Sequence, residues 1–330
     1  MPTHSPSGGR DRLHHHRPRP TTHNDTQQHL AIVGQDLHLA AGPGRNALTN
    51  ALAGDAQALE LLTDIPVVAM LIAADNADAL TTQIGHLPAT IGAVYLTRTE
   101  AARARTVQRN LEATSSPAVL TEEDTLATAL AAQAVHYLFT QDRTPDRSRV
   151  VILGAVHMPV LTPLLIATGF LDLTLWKASD ATTYSLERAT RDADVVIDLL
   201  RHSPASARYA LDRPTGSVLS LQGLEGQLFV APGLLRALLD TPPTRLKLGI
   251  DAYAVCAYAL AHAIPPRRQL SDLVGDRHQE ALMTSSITSA LTRATHPRAR
   301  RRRRIRPLGP PTKPAVTPAP RTADQKKARG

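Results

Sequence analysis

Few side chains in this sequence stand at spacings that do chemistry. The most suggestive is the turn Gly154-Ala-Val-His-Met-Pro159, which follows the apolar run Arg149-Val-Val-Ile-Leu153. A glycine between a strand and a helix lets the backbone approach a phosphate, which then sits on the helix's first N–H groups. The full dinucleotide pattern is G-x-G-x-x-G/A, and Gly154 alone matches it. Val156 stands at the second glycine and Pro159 at the third. Gly154, Ala155, Val156 and His157 are the candidate cofactor-binding residues. Lys177 joins them, just after the next apolar run Leu173-Thr-Leu-Trp176. A unit for NAD places an acid there for the ribose; a cation suits the 2′-phosphate of NADP instead. The pattern predicts weak binding of NADP or NAD.

Other chemistry-bearing residues are scattered. His136, His157, His202 and His262 lack metal-ligand spacing, and no H-E-x-x-H or G-x-S-x-G motif occurs. His14, His15 and His16 could hold a metal loosely, though a solvated tail is the simpler reading. Cys256 is the single cysteine, which excludes an intramolecular disulfide and a cysteine-rich zinc module. The strongest charge feature is Arg298 to Arg306, with seven arginines in nine residues. It could engage nucleic acid, anionic lipid or another anionic partner, but no aromatic is interleaved to stack on bases.

These residues need a scaffold, and charge shows where it lies. Residues 296–330 carry +11 and residues 1–28 carry +2 of the total of +8, which leaves −5 for the body between them. The basic character belongs to the tails, so the body is not a basic nucleic-acid-binding domain. Both tails are poor in apolar residues and rich in proline, and are expected to be disordered. The apolar segment around residues 246–264 is interrupted by Lys247, Gly249, Asp251 and His262, so it reads as a core helix and not a membrane span. No secretory signal is visible, which predicts a cytoplasmic protein.

Within the body, short β-like runs alternate with amphipathic helical segments. The runs are 67–72, 91–96, 150–153, 173–176, 195–199, 218–221 and 228–231. The helical segments are 77–86, 100–111, 122–139, 160–168, 234–239, 245–263 and 279–294. Such alternation predicts an α/β fold with parallel strands covered on both faces. Residues 144–180 read as the opening βαβ unit of a Rossmann-like sheet.

At this point several segments together resemble the malic enzymes, in particular the bacterial type, over about residues 50–292. Val68 to Leu80 looks like the strand and helix start before the family's first catalytic motif. Pro88-Ala-Thr-Ile-Gly-Ala-Val-Tyr-Leu-Thr-Arg98 resembles the family's P-x-F-G-G-I-N-L-E-D. Pro117-Ala-Val-Leu-Thr-Glu-Glu-Asp124 stands where the family reads P-V-F-H-D-D-Q, and Leu228 to Asp240 is similar to V-F-P-G-I-F-R-G-A-L-D. The resemblance implies an N-terminal malic-enzyme-like α/β region (29–120) followed by a Rossmann-like NAD(P)-binding domain with C-terminal helices (121–295). It also implies oxidative decarboxylation of malate with NAD(P) and a divalent metal, and a homodimer formed through the N-terminal part, which is short here.

Carried over residue by residue, the resemblance fails where the chemistry lies. The family's metal-binding Glu-Asp pair falls on Thr97 and Arg98, and a guanidinium cannot replace an anionic metal ligand. The third metal carboxylate falls at Glu122 or Glu123, which remain acidic, so Arg98 is expected to pair with one of them or else to be solvated. The catalytic Lys falls at Asp55, which cannot serve in its place. The family's Y-T-P-G-V-A and P-N-Q-x-N-N segments have no counterpart. These losses predict a degenerate homologue, a pseudoenzyme without a metal. Two alternatives remain: a metal-free NAD(P)-dependent oxidoreductase acting on malate or another small hydroxy acid, and a non-enzymatic module that binds anions through its Arg-rich tail.

Overall fold

The structure is a computed structural model that describes residues 28–36, 43–112, 117–200, 213–214, 216–242 and 245–295. The tails with His14–His16 and the Arg298–Arg306 run, together with His202, lie outside the described residues.

Two parallel sheets of four strands each form the frame. The first contains β1 (His29–Asp36), β2 (Val67–Ala73), β3 (Ile91–Thr97) and β4 (Ala118–Thr121), in the order β2-β1-β3-β4. Its crossovers are the helices α1 (Pro43–Thr63), α2 (Ala77–Gly85) and α3 (Ala101–Glu112). The second contains β5 (Arg149–Leu153), β6 (Asp172–Trp176), β7 (Val195–Asp198) and β8 (Val218–Ser220), in the order β6-β5-β7-β8. Here α5 (Leu161–Ala167) and α6 (Leu186–Thr190) make the crossovers. Every strand pair is parallel, so the strands of each sheet point their carboxyl ends the same way.

The helix α4 (Glu122–Thr140) leads from one sheet to the other. A capping box starts it: Thr121 and Asp124 satisfy each other's backbone N–H groups. Glu122, Glu123 and Asp124 also place three acids in its first turn, where the helix dipole favours negative charge. Ala127, Leu130, Ala131, Ala134, Val135 and Leu138 are fully buried. They belong to a core that includes Leu30, Ile32 and Tyr95 of the first sheet and Val150, Ile152 and Ile197 of the second. One continuous core therefore joins the two sheets. Helices α7 (Ala231–Asp240), α8 (Ile250–Ala263) and α9 (Arg277–Thr295) complete it. No helix among the described residues is long and apolar enough to cross a membrane.

The predicted α/β class and the β5–α5–β6 unit are present, with β5 and β6 paired in parallel. Three local expectations need correction. Residues 228–231 form no strand; they run into α7, whose first turn holds Pro232. Proline lacks the N–H that a strand ladder needs but fits a helix start. The helix predicted from 245 begins at Ile250. The segment 29–63, in which the sequence pattern predicts no individual strand or helix, holds β1 and α1. They meet closely: a Cβ on Gly34 would lie 2.7 Å from Leu52 Cδ1.

Candidate functional site

The carboxyl ends of both sheets face one cleft of about 720 Å³. In parallel α/β folds ligands bind outside such strand ends, where loops from several strands converge. Leu96 at the end of β3, Glu100 before α3 and the start of α4 form one wall. His157 and Met158 after β5, Leu199 and Leu200 after β7, and Leu221 and Glu225 after β8 form the other.

Alternation along β3 sets Tyr95 and Thr97 on one face. Thr97 Oγ1 donates to Glu122 Oε2 at 3.0 Å. Arg98 follows with a left-handed backbone (φ 49°), and its N–H donates to the same Glu122 oxygen at 2.9 Å. The Arg98 guanidinium turns the other way and pairs with Asp55 of α1. The two side chains are 28% and 20% exposed, so the pair is partly shielded from water. This corrects the expected pairing of Arg98 with Glu122 or Glu123. Glu122 meets the backbone of Arg98, and among the described residues it is Asp55 that meets its charge.

Glu123 has its own cation. Arg105 of α3 places Nη1 2.6 Å from both Glu123 carboxylate oxygens. Glu123 is nearly buried, and burial raises its pKa above the ordinary value despite the opposing pull of Arg105. Asp124 accepts from Thr121 Oγ1 and from Gln108 Nε2, each at 2.8 Å. Burial first, then the charge of Asp124, raises the pKa of the buried Tyr253 phenol strongly. All three acids at the head of α4 are thus held by protein donors.

Tyr95 lies beneath this cluster, 3% exposed, with its hydroxyl 3.3 Å from Thr125 Oγ1. Burial first, then the charges of Glu122 and Asp55, push its pKa far above the usual range. It remains a neutral phenol at ordinary pH.

Across the cleft, Gly154 has φ 75°, a left-handed conformation that suits glycine. A Cβ there would lie 2.7 Å from Leu200 Cδ2 and 3.1 Å from His157 Cδ2. The close approach that needs a glycine is therefore to side chains of this protein. A 3-10 turn, Ala155–His157, follows. Val156 points to solvent at 74% exposure, and α5 starts only at Leu161. Lys177 is exposed at the end of β6 and lines no part of the cleft.

The structure therefore puts Glu122 and Glu123 on one wall and His157 on the other. Thr97, Arg98 and Asp55 stand behind Glu122 and do not line the cleft, and Lys177 lies apart. Sequence reasoning missed Arg105, Tyr95, Glu100 and Glu225. The β3 alternation carries a signal for Tyr95, since Tyr95 and Thr97 share parity. Arg105 is one arginine among several on α3, and only the fold selects it. His136 donates from Nδ1 to the Ala261 carbonyl (3.0 Å) and His262 stacks on Phe139, so both serve the packing of α4 on α8. Cys256 is fully buried, and burial pushes its thiol pKa up. Among the described residues no group of three or more His, Cys, Asp or Glu is placed to hold a metal ion.

No protein-family model matches the chain, and no curated protein matches it. Solved structures do. The chain is similar to the NAD-dependent malic enzyme from Thermotoga maritima, with a TM-score of 0.64 at 13% identity, covering 81% of this chain and 84% of that one. It is also similar to the malic enzyme from Pyrococcus horikoshii, with a TM-score of 0.62 at 13% identity over 82% and 78% of the two chains. The Entamoeba histolytica malic enzyme gives 0.60 at 15% identity over 81% and 70%. At these identities the likeness shows a malic-enzyme-like fold.

Proposed function

We propose that this chain is a degenerate malic-enzyme homologue, a scaffold with a ligand cleft that does not carry out oxidative decarboxylation of malate. The ion pair of Arg98 with Asp55 carries the reading. The resemblance aligns these positions with a metal carboxylate and with the catalytic Lys, so both charges are inverted. Inverting the two together keeps the pair neutral while removing both chemical roles.

A divalent cation does not fit these residues. It needs oxygen ligands, and a guanidinium offers only N–H donors and a repelling charge. Glu122 already accepts from Thr97 and Arg98, and Glu123 is bound by Arg105.

A dinucleotide fits poorly for a related reason. Glu100, Glu122, Glu123 and Glu225 line the cleft, and a pyrophosphate would meet their field. NADP or NAD binding is accordingly weak. An active oxidoreductase that uses Arg98 to hold a substrate carboxylate would first have to break the pair with Asp55. Cytoplasmic location belongs to the same proposal.

The deciding measurement is malate-dependent reduction of NAD or NADP with magnesium or manganese, with calorimetry of both dinucleotides beside it. The expected result is no rate above the blank. A rate clearly above it would overturn the proposal.

A further inference from the structure

Among the described residues β6 is an open edge: it pairs with β5 and with no other strand. An open edge leaves a row of backbone groups free to pair with another chain. The Gly154 N–H donates to the Trp176 carbonyl at 2.9 Å. By strand geometry, Asp172, Thr174 and Trp176 therefore turn their backbone groups toward β5, and Leu171, Leu173 and Leu175 turn theirs outward.

The side chains alternate too. Leu171 and Leu175 are 75% and 50% exposed and share a face with Leu173. Asp172 and Thr174 share the other. On that face stands Arg149 of β5, in register with Asp172. Its Nη2 donates to Thr174 Oγ1 at 3.5 Å, and its buried Nε has no hydrogen-bond partner.

We propose that a second copy of this chain pairs its β6 antiparallel to this one, about a twofold axis through Leu173. The outward backbone groups then bond reciprocally. Leu171 faces the partner's Leu175, and Leu173 faces the partner's Leu173, covering the exposed leucines. Asp172 faces the partner's Thr174, which brings its carboxylate beside the partner's Arg149, and symmetry repeats the contact. Because Asp172 never faces its own copy, the strand meets itself without like-charge repulsion. The two four-stranded sheets become one of eight. This surface differs from the N-terminal contact that the family resemblance implies.

Sedimentation equilibrium of the full chain at micromolar concentration tests the pairing, with circular dichroism to confirm that each variant is folded. The parent chain is expected to be a dimer. Asp172→Lys sets a cation beside the partner's Arg149 and weakens association about tenfold or more. Leu175→Lys weakens it similarly. Combining Asp172→Lys with Thr174→Glu places opposite charges face to face and restores the dimer. A monomeric parent overturns the proposal. So does a dimer whose affinity is unchanged by both Asp172→Lys and Leu175→Lys.

Discussion

Arg98, at the end of β3, is paired through its guanidinium with Asp55 of α1 and through its backbone N–H with Glu122 of α4. One residue thus ties three elements together. The ion pair is partly exposed, so screening limits its worth to about 1 kcal/mol. Arg98→Ala and Asp55→Ala are each expected to lower unfolding free energy by about that amount. In urea titrations the double variant should lose clearly less than the sum of the singles. Full additivity would show that the pair contributes nothing.

The proposed charge inversion at Asp55 and Arg98 can be reversed by mutation. The triple variant Asp55→Lys, Thr97→Glu, Arg98→Asp puts anionic oxygens beside Glu122 and moves the cation to α1. It is expected to bind manganese measurably, read by electron paramagnetic resonance, where the parent chain does not. Equal binding by parent and variant would contradict the account of the site.

Glu123 gives a pH signature. Burial holds its pKa above the ordinary 4.5 in the folded chain. The folded state therefore keeps this proton to higher pH than the unfolded state. The associated stability is full below the unfolded value and is lost as pH rises through the raised folded value. Glu123→Gln removes that titration while keeping an oxygen for Arg105. The difference in urea midpoint between parent and variant should change as pH rises from the ordinary 4.5 through the raised folded value and be flat on either side. A constant difference would show that Glu123 does not titrate there.

Gly233 marks the contact of α7 with α9. A Cβ there would lie 2.7 Å from Ile287 Cβ and 2.8 Å from the Thr284 carbonyl oxygen. Backbone cannot yield as a side-chain tip does, so Gly233→Ala must push the helices apart. A loss of about 1–3 kcal/mol is expected, seen as a lower thermal midpoint. Gly54→Ala, which meets nothing within 4 Å, serves as the harmless control.

The Arg298–Arg306 run should give the full chain a salt-sensitive affinity for polyanions. On double-stranded DNA each neutralised phosphate contributes a slope of about −0.9 in log affinity against log salt. Deleting residues 297–330 is expected to abolish this binding in a filter or anisotropy assay. Unchanged affinity after deletion would move the contact to the body, whose net charge of −5 opposes it.

Much of the scaffold was legible before the fold was known. Strongly apolar runs such as Val150–Leu153 and Val195–Leu199 announce buried parallel strands, because both faces of such a strand must be apolar. β1 was harder: His29, Gly34 and Gln35 interrupt its apolar character, yet Leu30 to Val33 are almost fully buried. The α1 pattern is blurred because alanine serves equally on a buried or an exposed face. The 228–231 run has strand-like residues, but Pro232 and Gly233 commit it to a helix start.

The sequence by itself determined the α/β class and the βαβ unit around Gly154, since each depends on residue type and local order. Only the tertiary structure decided which charge meets which. Asp55 and Arg98 are 43 residues apart, as Arg105 and Glu123 are 18 apart, and several acids compete for each arginine. Ion pairing depends on distance and burial, and a chain acquires both only when its helices dock on its strands.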